Sequence, residues 1–238
     1  MKRILSLSLA ALLICVSVPA AITLNWDSGF ANGGAIPDGD LTGWSDTRTL
    51  SGIAPGQTIA DLNVTLNLAG GFNGDLYAYL VHDSGFAILL NRVGRTASNP
   101  LGYDNTGFGP TSGGESFRLD DQAVTDVHGY QVSYTLNASG QLTGTWQPDG
   151  RNIHPLSTGL TFDAATRGAR LDSFNSLDPN GSWTLYIADV TSGGGQSTMQ
   201  SWGLEITAVP EVPTLVGAVL LGFYALIRFV RQRLGARS

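Results

Sequence analysis

Six aspartates beside tight turns are the side chains of this sequence best suited to chemistry. They are Asp38, Asp40, Asp75, Asp120, Asp121 and Asp189. Carboxylate oxygens grouped on loops are the ligands that Ca²⁺ takes, at about 2.3–2.6 Å. Each aspartate also has a local explanation, because this side chain favours turns by bonding neighbouring main-chain groups. The sequence therefore predicts Ca²⁺ bridging loops through these six residues, as a hypothesis beside their local role.

The charge of the central part of the chain is compatible with a bound cation. Residues 22–208 contain 7 Arg and no Lys against 18 Asp plus Glu, an excess of 11 negative charges. The other six of the 13 basic residues flank the two hydrophobic ends. Nucleic acid demands positive charge from its partner, so no nucleic-acid partner is predicted.

The histidines give no sign of catalysis. They are His82, His128 and His154, and none lies in a motif that pairs it with a nucleophile. The sequence has no nucleophile elbow, no H-E-x-x-H motif and no Walker loop. The chain is therefore predicted not to be an enzyme. Since catalytic triads recur in unrelated chain orders, only a structure tests this prediction fully.

The N-terminus predicts export from the cytoplasm. Lys2 and Arg3 precede an apolar stretch at 4–18, and small residues follow. This is the layout of a secretory signal peptide, assigned here to 1–21, with cleavage after Ala20 or Ala21. Cleavage removes Cys15, the one cysteine, and the mature chain then has no disulfide.

The C-terminus predicts a membrane anchor. A linker at 209–214 precedes a predicted transmembrane helix at 215–230, which ends among arginines, and a basic cytoplasmic tail at 231–238. A full span usually needs about 20 apolar residues, so this one is short. Basic residues after the segment place that end in the cytoplasm.

Between these ends, the pattern predicts one all-β domain, an antiparallel β-sandwich of jelly-roll type at 22–208. Apolar alternation between Gly and Asn turns predicts strands at 59–68, 76–81, 86–90, 129–136, 183–188 and 202–206. Residues 91–114 carry many Gly, Pro and Asn and predict a long loop. Trp183 and Trp202 fall in core strands, whereas Trp44 and Trp146 lie near turns, where they would stack on sugars in a glycan-binding protein.

A series of short motifs runs through this domain in a fixed order. They are Ala35-Ile36-Pro37-Asp38, Ile59-Ala60-Asp61-Leu62-Asn63-Val64, Phe72-Asn73-Gly74-Asp75-Leu76, Phe117-Arg118-Leu119-Asp120-Asp121-Gln122-Ala123, Gly144-Thr145-Trp146-Gln147-Pro148, Gly181-Ser182-Trp183-Thr184-Leu185-Tyr186-Ile187-Ala188-Asp189 and Trp202-Gly203-Leu204-Glu205-Ile206. Together they resemble the P domain (Homo B domain) of kexin- and furin-like proprotein convertases, over roughly residues 35–206. The resemblance implies a module without catalytic residues, because the protease activity of convertases belongs to a separate subtilisin-like domain.

The tail has a resemblance of its own. Val209-Pro210-Glu211, a short hydrophobic segment and an arginine cluster resemble a PEP-CTERM sorting signal, although Val212 separates Glu211 from Pro213. The resemblance implies processing by an exosortase-type enzyme, with release or re-attachment of the domain at the cell surface.

These observations predict an exported, non-catalytic module at the cell envelope that mediates or stabilises protein contacts. One alternative is a glycan-binding module that contacts an envelope polysaccharide. Another is an accessory domain that docks to a separately encoded subtilisin-like serine protease.

Overall fold

The computed structural model describes residues 19–211, 221–224 and 226–228. The predicted signal peptide lies outside these residues apart from 19–21. The same holds for half of the linker at 209–214, for part of the predicted transmembrane helix at 215–230 and for the whole basic tail at 231–238. Residues 221–224 and 226–228 are helical. Within the described ranges, no helix has the length and apolarity needed to cross a membrane.

Nine strands in the described residues form two sheets. They are β1 (Ala20–Trp26), β2 (Trp44–Leu50), β3 (Gln57–Ala69), β4 (Leu76–His82), β5 (Gly85–Asn91), β6 (Phe117–Leu119), β7 (Thr145–Trp146), β8 (Gly181–Asp189) and β9 (Thr198–Pro210). The five-stranded sheet has the order β1-β9-β3-β6-β7, and the four-stranded sheet has the order β2-β8-β4-β5. A short α-helix, α1 (Gly159–Ala164), lies between β7 and β8. The predicted all-β class is confirmed.

Alternating burial explains why these segments form strands around a shared core. In β4 the side chains of Leu76, Ala78 and Leu80 are fully buried, and the tyrosines between them are only partly covered. In β8 the buried residues are Trp183, Leu185 and Ile187. Residues two apart in a strand point to the same face, so each sheet presents one apolar face to the other. The prediction that Trp183 and Trp202 lie in the core is confirmed, since both are 0% exposed.

Two details of the predicted sandwich are wrong. The segment predicted as a strand at 129–136 begins instead within a 3₁₀ helix at Val127–Val132. The Asp126 carboxylate caps this helix by accepting from the main-chain nitrogen of His128 at 2.9 Å. The alternation there does not correspond to a buried face, because Val132 is 90% exposed. The sandwich is also not wholly antiparallel, since β6 and β7 pair in parallel.

The predicted long loop at 91–114 is confirmed in substance. No named strand or helix lies between the end of β5 and the start of β6, although Phe108 makes isolated bridges to Leu68 and Leu142. Phe108 is fully buried and packs on Phe117, with the ring centroids 4.8 Å apart. The loop therefore covers one end of the core as a part of the domain.

The packing of β8 makes a prediction about stability. Changing fully buried Leu185 to Ala should lower the free energy of unfolding by about 2–5 kcal/mol, because it leaves a cavity in the shared core. Leu160→Ala is the matched control: this leucine is 72% exposed, and its truncation should change the free energy by less than about 0.5 kcal/mol. Urea denaturation of the purified full-length protein measures both values. Equal losses would contradict the assigned core.

Candidate functional site

Strand register brings two of the predicted aspartates together. Leu76, the first residue of β4, pairs with Asp189, the last residue of β8. Asp75 directly precedes Leu76, so both carboxylates lie at the same edge of the four-stranded sheet. The main-chain nitrogen of Val190 donates to the Asp75 carbonyl at 2.9 Å and holds the chain on this edge.

A third aspartate reaches this edge from the segment before β2. The main-chain nitrogen of Asp40 donates to the carbonyl of Asp189 at 2.9 Å, which places this segment against the end of β8. The main-chain nitrogen of Gly193 lies 3.2 Å from each carboxylate oxygen of Asp38. The charges of both Asp38 and Asp75 act on the Asp189 carboxyl. We call Asp38, Asp75 and Asp189 the acidic cluster.

A buried arginine accompanies the acidic cluster. Arg92 is 3% exposed and donates from its guanidinium to Asp75 Oδ1 at 3.2 Å, to the Gly74 carbonyl at 2.9 Å and to the Leu101 carbonyl at 3.4 Å. The sequence reading missed this residue. The available signal was its position directly after an apolar strand, where a charged side chain is buried only when it is paired.

Asp189 is the unusual member of the cluster. Its side chain is fully buried, Thr191 donates from the main chain to Oδ1 at 3.4 Å, and Oδ2 accepts no hydrogen bond from the described residues. The pKa of this carboxyl is raised from 3.8 to about 7, chiefly by burial. The nearby charges of Asp75 and Asp38 also raise it, whereas the hydrogen bond from Thr191 and the charge of Arg92 lower it. Burial also raises the pKa of Asp75, against the lowering effect of Arg92.

An open groove of about 510 Å³ lies over the cluster. Its lining residues are Phe72, Asp75, Asn99, Leu101, Gly102, Tyr103, Asp104, Gln131 and residues 191–194. Gly74 lets the two loops on one side approach each other, because a Cβ there would lie 2.5 Å from the main-chain nitrogen of Tyr103. The Phe72 ring packs against Gly194 of the opposite wall, where a Cβ would lie 2.4 Å from it.

The other three predicted metal ligands lie outside the cluster. The exposed Asp40 carboxylate accepts from the main-chain nitrogen of Thr42 at 2.8 Å. Asp120 accepts from the nitrogen of Gln122 at 2.7 Å. Asp121 is buried, and its oxygens accept from the main-chain nitrogens of Asp172 and Leu171 and from Arg170. Asp40 and Asp120 therefore have the local role that the sequence offered as the alternative, whereas Asp121 holds a segment distant along the chain.

The side chains do not form a ready-made metal cage. In residues 19–211 and the short described helical stretches, no group of three or more His, Cys, Asp or Glu side chains is placed to hold a metal ion as it stands. A cation in the acidic cluster would need the carboxylates to turn toward a common point, with main-chain oxygens completing its shell.

His128 and Asp149 form a buried pair that resembles part of a catalytic triad. Their Nδ1 and Oδ2 atoms are 2.7 Å apart, but His128 Nε2 lies 3.0 Å from the Arg95 carbonyl. In a triad that nitrogen faces the nucleophile. Asp149 also accepts from Arg151 at 3.2 Å, so the pair belongs to a structural charge network.

His82 has a structural position as well. Its ring stacks on Trp183, with the centroids 3.9 Å apart and the planes 6° from parallel. Its two nitrogens lie 3.0 Å and 2.7 Å from the carbonyls of Ser182 and Asp178. The ring therefore fastens the segment before β8 to the end of β4.

The two tryptophans considered as sugar platforms do not serve as such. Trp44 is 3% exposed and Trp146 is 6% exposed. Their indole nitrogens donate to the carbonyls of Ala31 and Thr143. Both are core residues, and the aromatic rings in the groove are Phe72 and Tyr103 instead.

Comparisons with known proteins give limited information. No family model matches the chain, and no curated protein matches it. Among solved structures, the complex of Aeromonas sobria serine protease with the chaperone aligns at 14% identity and a TM-score of 0.36, over 80% of this chain and 27% of that chain. The Aeromonas sobria serine protease alone aligns at the same identity and TM-score, over 82% and 28%. The chain thus spans little more than a quarter of the length of these structures.

The raised pKa of Asp189 makes a prediction about pH. In the folded state this carboxyl stays protonated up to about pH 7, whereas in the unfolded chain it ionises near 3.8. Protonation of Asp189 therefore stabilises the folded state below about pH 7. This contribution to the free energy of unfolding is lost as the pH rises from about 4 to 7, by up to about 1.4 kcal/mol per pH unit. Asp189→Asn keeps the shape without the titrating group.

Urea denaturation of both proteins across this pH range, in the presence of a chelator, measures the difference. The unfolding free energy of the wild type should fall relative to that of Asp189→Asn as the pH rises. Asp27→Asn, which changes an exposed carboxylate outside the cluster, should follow the wild type. A constant difference between wild type and Asp189→Asn would contradict the burial of an unpaired carboxyl.

Proposed function

We propose that this chain is an exported, non-catalytic binding module of the P-domain type, which contacts a basic segment of a partner protein through the groove. The observation that carries the proposal is the combination of aromatic rings and carboxylates in one open depression. The order of the sequence motifs supports the P-domain assignment, and the arrangement of the strands in two sheets is compatible with it.

The wall that carries the aromatic rings is held firmly. Asn73 donates to the Gly107 carbonyl at 3.2 Å, and its own Oδ1 accepts from the Gly107 nitrogen at 2.7 Å. The main-chain nitrogen of Gly74 donates to the Tyr103 carbonyl at 2.7 Å. Phe72 and Tyr103 are therefore presented on a fixed frame, which lowers the entropy cost of binding.

Charge selects the partner. Asp104 is exposed in the groove, and Asp75 lies at its base above the rest of the acidic cluster. A guanidinium or ammonium group can pair with these carboxylates while it lies over the face of an aromatic ring. The excess of 11 negative charges in 22–208 would also attract a basic partner over a longer range.

The alternative of a glycan ligand is less well supported by the polar groups. The side-chain amides that could bond sugar hydroxyls are already engaged, since the Asn99 amide donates to the carbonyls of Gly94 and Gly102. The Gln131 amide likewise donates to Asn105 Oδ1 at 2.8 Å. Binding of a polysaccharide is therefore the competing result that the binding experiment below distinguishes. An accessory role beside a separate serine protease is a special case of the protein-contact proposal.

Binding of a fluorescently labelled arginine-rich peptide to the purified full-length protein tests the proposal. The peptide should bind, and added salt should weaken the binding, because screening acts on exposed charges. Phe72→Ala should weaken it by about 2- to 30-fold, the range that a cation–π contact accounts for. Asp104→Asn should weaken it by up to about 5-fold, as expected for the loss of one exposed ion pair. Leu160→Ala, remote in the sequence and absent from the groove lining, serves as the control.

Two results would overturn the proposal. An acidic peptide of the same length that binds equally well would remove the charge argument. Salt-insensitive binding of a neutral envelope polysaccharide, weakened by Phe72→Ala, would favour the glycan-binding alternative.

The cellular location is a separate part of the proposal. We place the module at the cell envelope, brought there by the signal peptide at 1–21 and held or released there through the anchor at 215–230 and an exosortase-type enzyme. Intact-mass measurement of the protein recovered from cells and from medium tests this. A new N-terminus near Ala20 or Ala21 is expected, together with either an intact tail or a shortened one. A cytoplasmic protein that retains Met1 would contradict export.

A further inference from the structure

We propose that the acidic cluster is a Ca²⁺ site in which Asp38, Asp75 and Asp189 bind the ion together with main-chain oxygens of the turn at 190–194. This site lies beneath the groove and shares Asp75 with the groove lining, so the ion would be bound next to the peptide contact proposed above. Three carboxylates come to it from three places in the sequence, so the ion would join three segments of the chain.

The buried oxygen of Asp189 is the observation that points to a ligand. Oδ2 is completely covered and accepts no hydrogen bond from the described residues. Burial of an unpaired carboxylate oxygen costs free energy, and native structures normally supply a partner for such a group. A bound cation supplies that partner and explains why an acid is kept at this position of the core face.

The charge of the surroundings fits one divalent ion. With all three carboxylates ionised, Arg92 leaves two negative charges uncompensated among these four residues. Arg92 contacts Asp75 through one oxygen, and it does not bond Asp189. One Ca²⁺ neutralises the remainder, whereas a single proton on Asp189 neutralises only half of it.

The donor atoms select calcium among the common ions. The cluster offers carboxylate and carbonyl oxygens, without a thiolate or imidazole, and hard cations prefer such donors. Ca²⁺ accepts six to eight ligands in irregular geometry, whereas Mg²⁺ demands a near-ideal octahedron. The adjoining turn contains Gly193, Gly194 and Gly195, all at positive φ, a conformation that glycine adopts without a steric cost.

Isothermal titration of CaCl₂ into chelator-treated full-length protein tests the site with the metal alone. We expect saturable binding of one Ca²⁺ per chain, in the range of about 10⁻⁴–10⁻³ M that extracellular calcium modules show. Mg²⁺ should bind more weakly. Asp189→Asn and Asp38→Asn should each weaken Ca²⁺ binding more than about tenfold, because even outer-shell changes cost a metal site that much. Asp27→Asn should leave it unchanged.

The variants remain informative if folding is affected. Asp38 is exposed, so its change to Asn leaves the core intact, and the melting temperature measured in chelator reports the fold of each variant. Wild-type protein that takes up no Ca²⁺ at several millimolar, or that binds it equally well after both substitutions, overturns the site. Because no peptide is present, neither result bears on the peptide contact.

Discussion

The alternation of β8 is the constraint from which the rest of this structure follows. Trp183, Leu185 and Ile187 all point into the core, and the next residue in that series is Asp189. A shift of the β8 register by one residue would expose the Asp189 carboxyl, but it would also expose the three apolar side chains that now point into the core. The strand therefore carries a carboxyl on its buried face, and the surrounding loops must accommodate it. The segment before β2 and the turn after β8 both close over this group.

Arg92 is the obvious counter-ion for Asp189, but its guanidinium bonds other groups. It has φ of 48°, a left-handed conformation that is uncommon for a side chain of this size. From there its guanidinium bonds Asp75 and the carbonyls of Gly74 and Leu101, which holds the loop at 99–104 against the start of β4. A buried pair of this kind is costly to break but does little to neutralise a third charge. Asp189 is thereby left to hold a proton or a cation.

The sequence predicted the elements whose pattern comes from the core. β3, β4, β5, β8 and β9 were expected, because their alternation and their flanking turns are strong. β2 was missed because its inward positions include Asp46 and Arg48, an ion pair with atoms 2.6 Å apart. Trp202 donates to the same Asp46 carboxylate at 2.7 Å. A polar pair on the inward face removes the apolar period by which a strand is recognised.

The candidate site was only partly predictable for a related reason. Turn chemistry identifies aspartates such as Asp75 and Asp121 equally well, because both lie beside turns. Which of them converge depends on long-range register, here the pairing of Leu76 with Asp189, and no local pattern encodes that pairing. The same limit applies to Trp44 and Trp146, which lie near turns in the sequence but are buried in the folded domain.

The long loops explain why so many polar side chains are buried at this end of the sandwich. A main chain outside a sheet still needs hydrogen-bond partners, and the described residues contain no cysteine that could fasten it by a disulfide. Side chains supply the hydrogen bonds that hold these loops. Asn73 bonds Gly107 twice, and Gln141 donates to the carbonyls of Leu68 and Phe108. Charged groups such as Arg92 do the same for the loop at 99–104. The charge at this end is thus a consequence of how the loops are held, and the excess carboxylate of Asp189 gives that arrangement a place for a ligand.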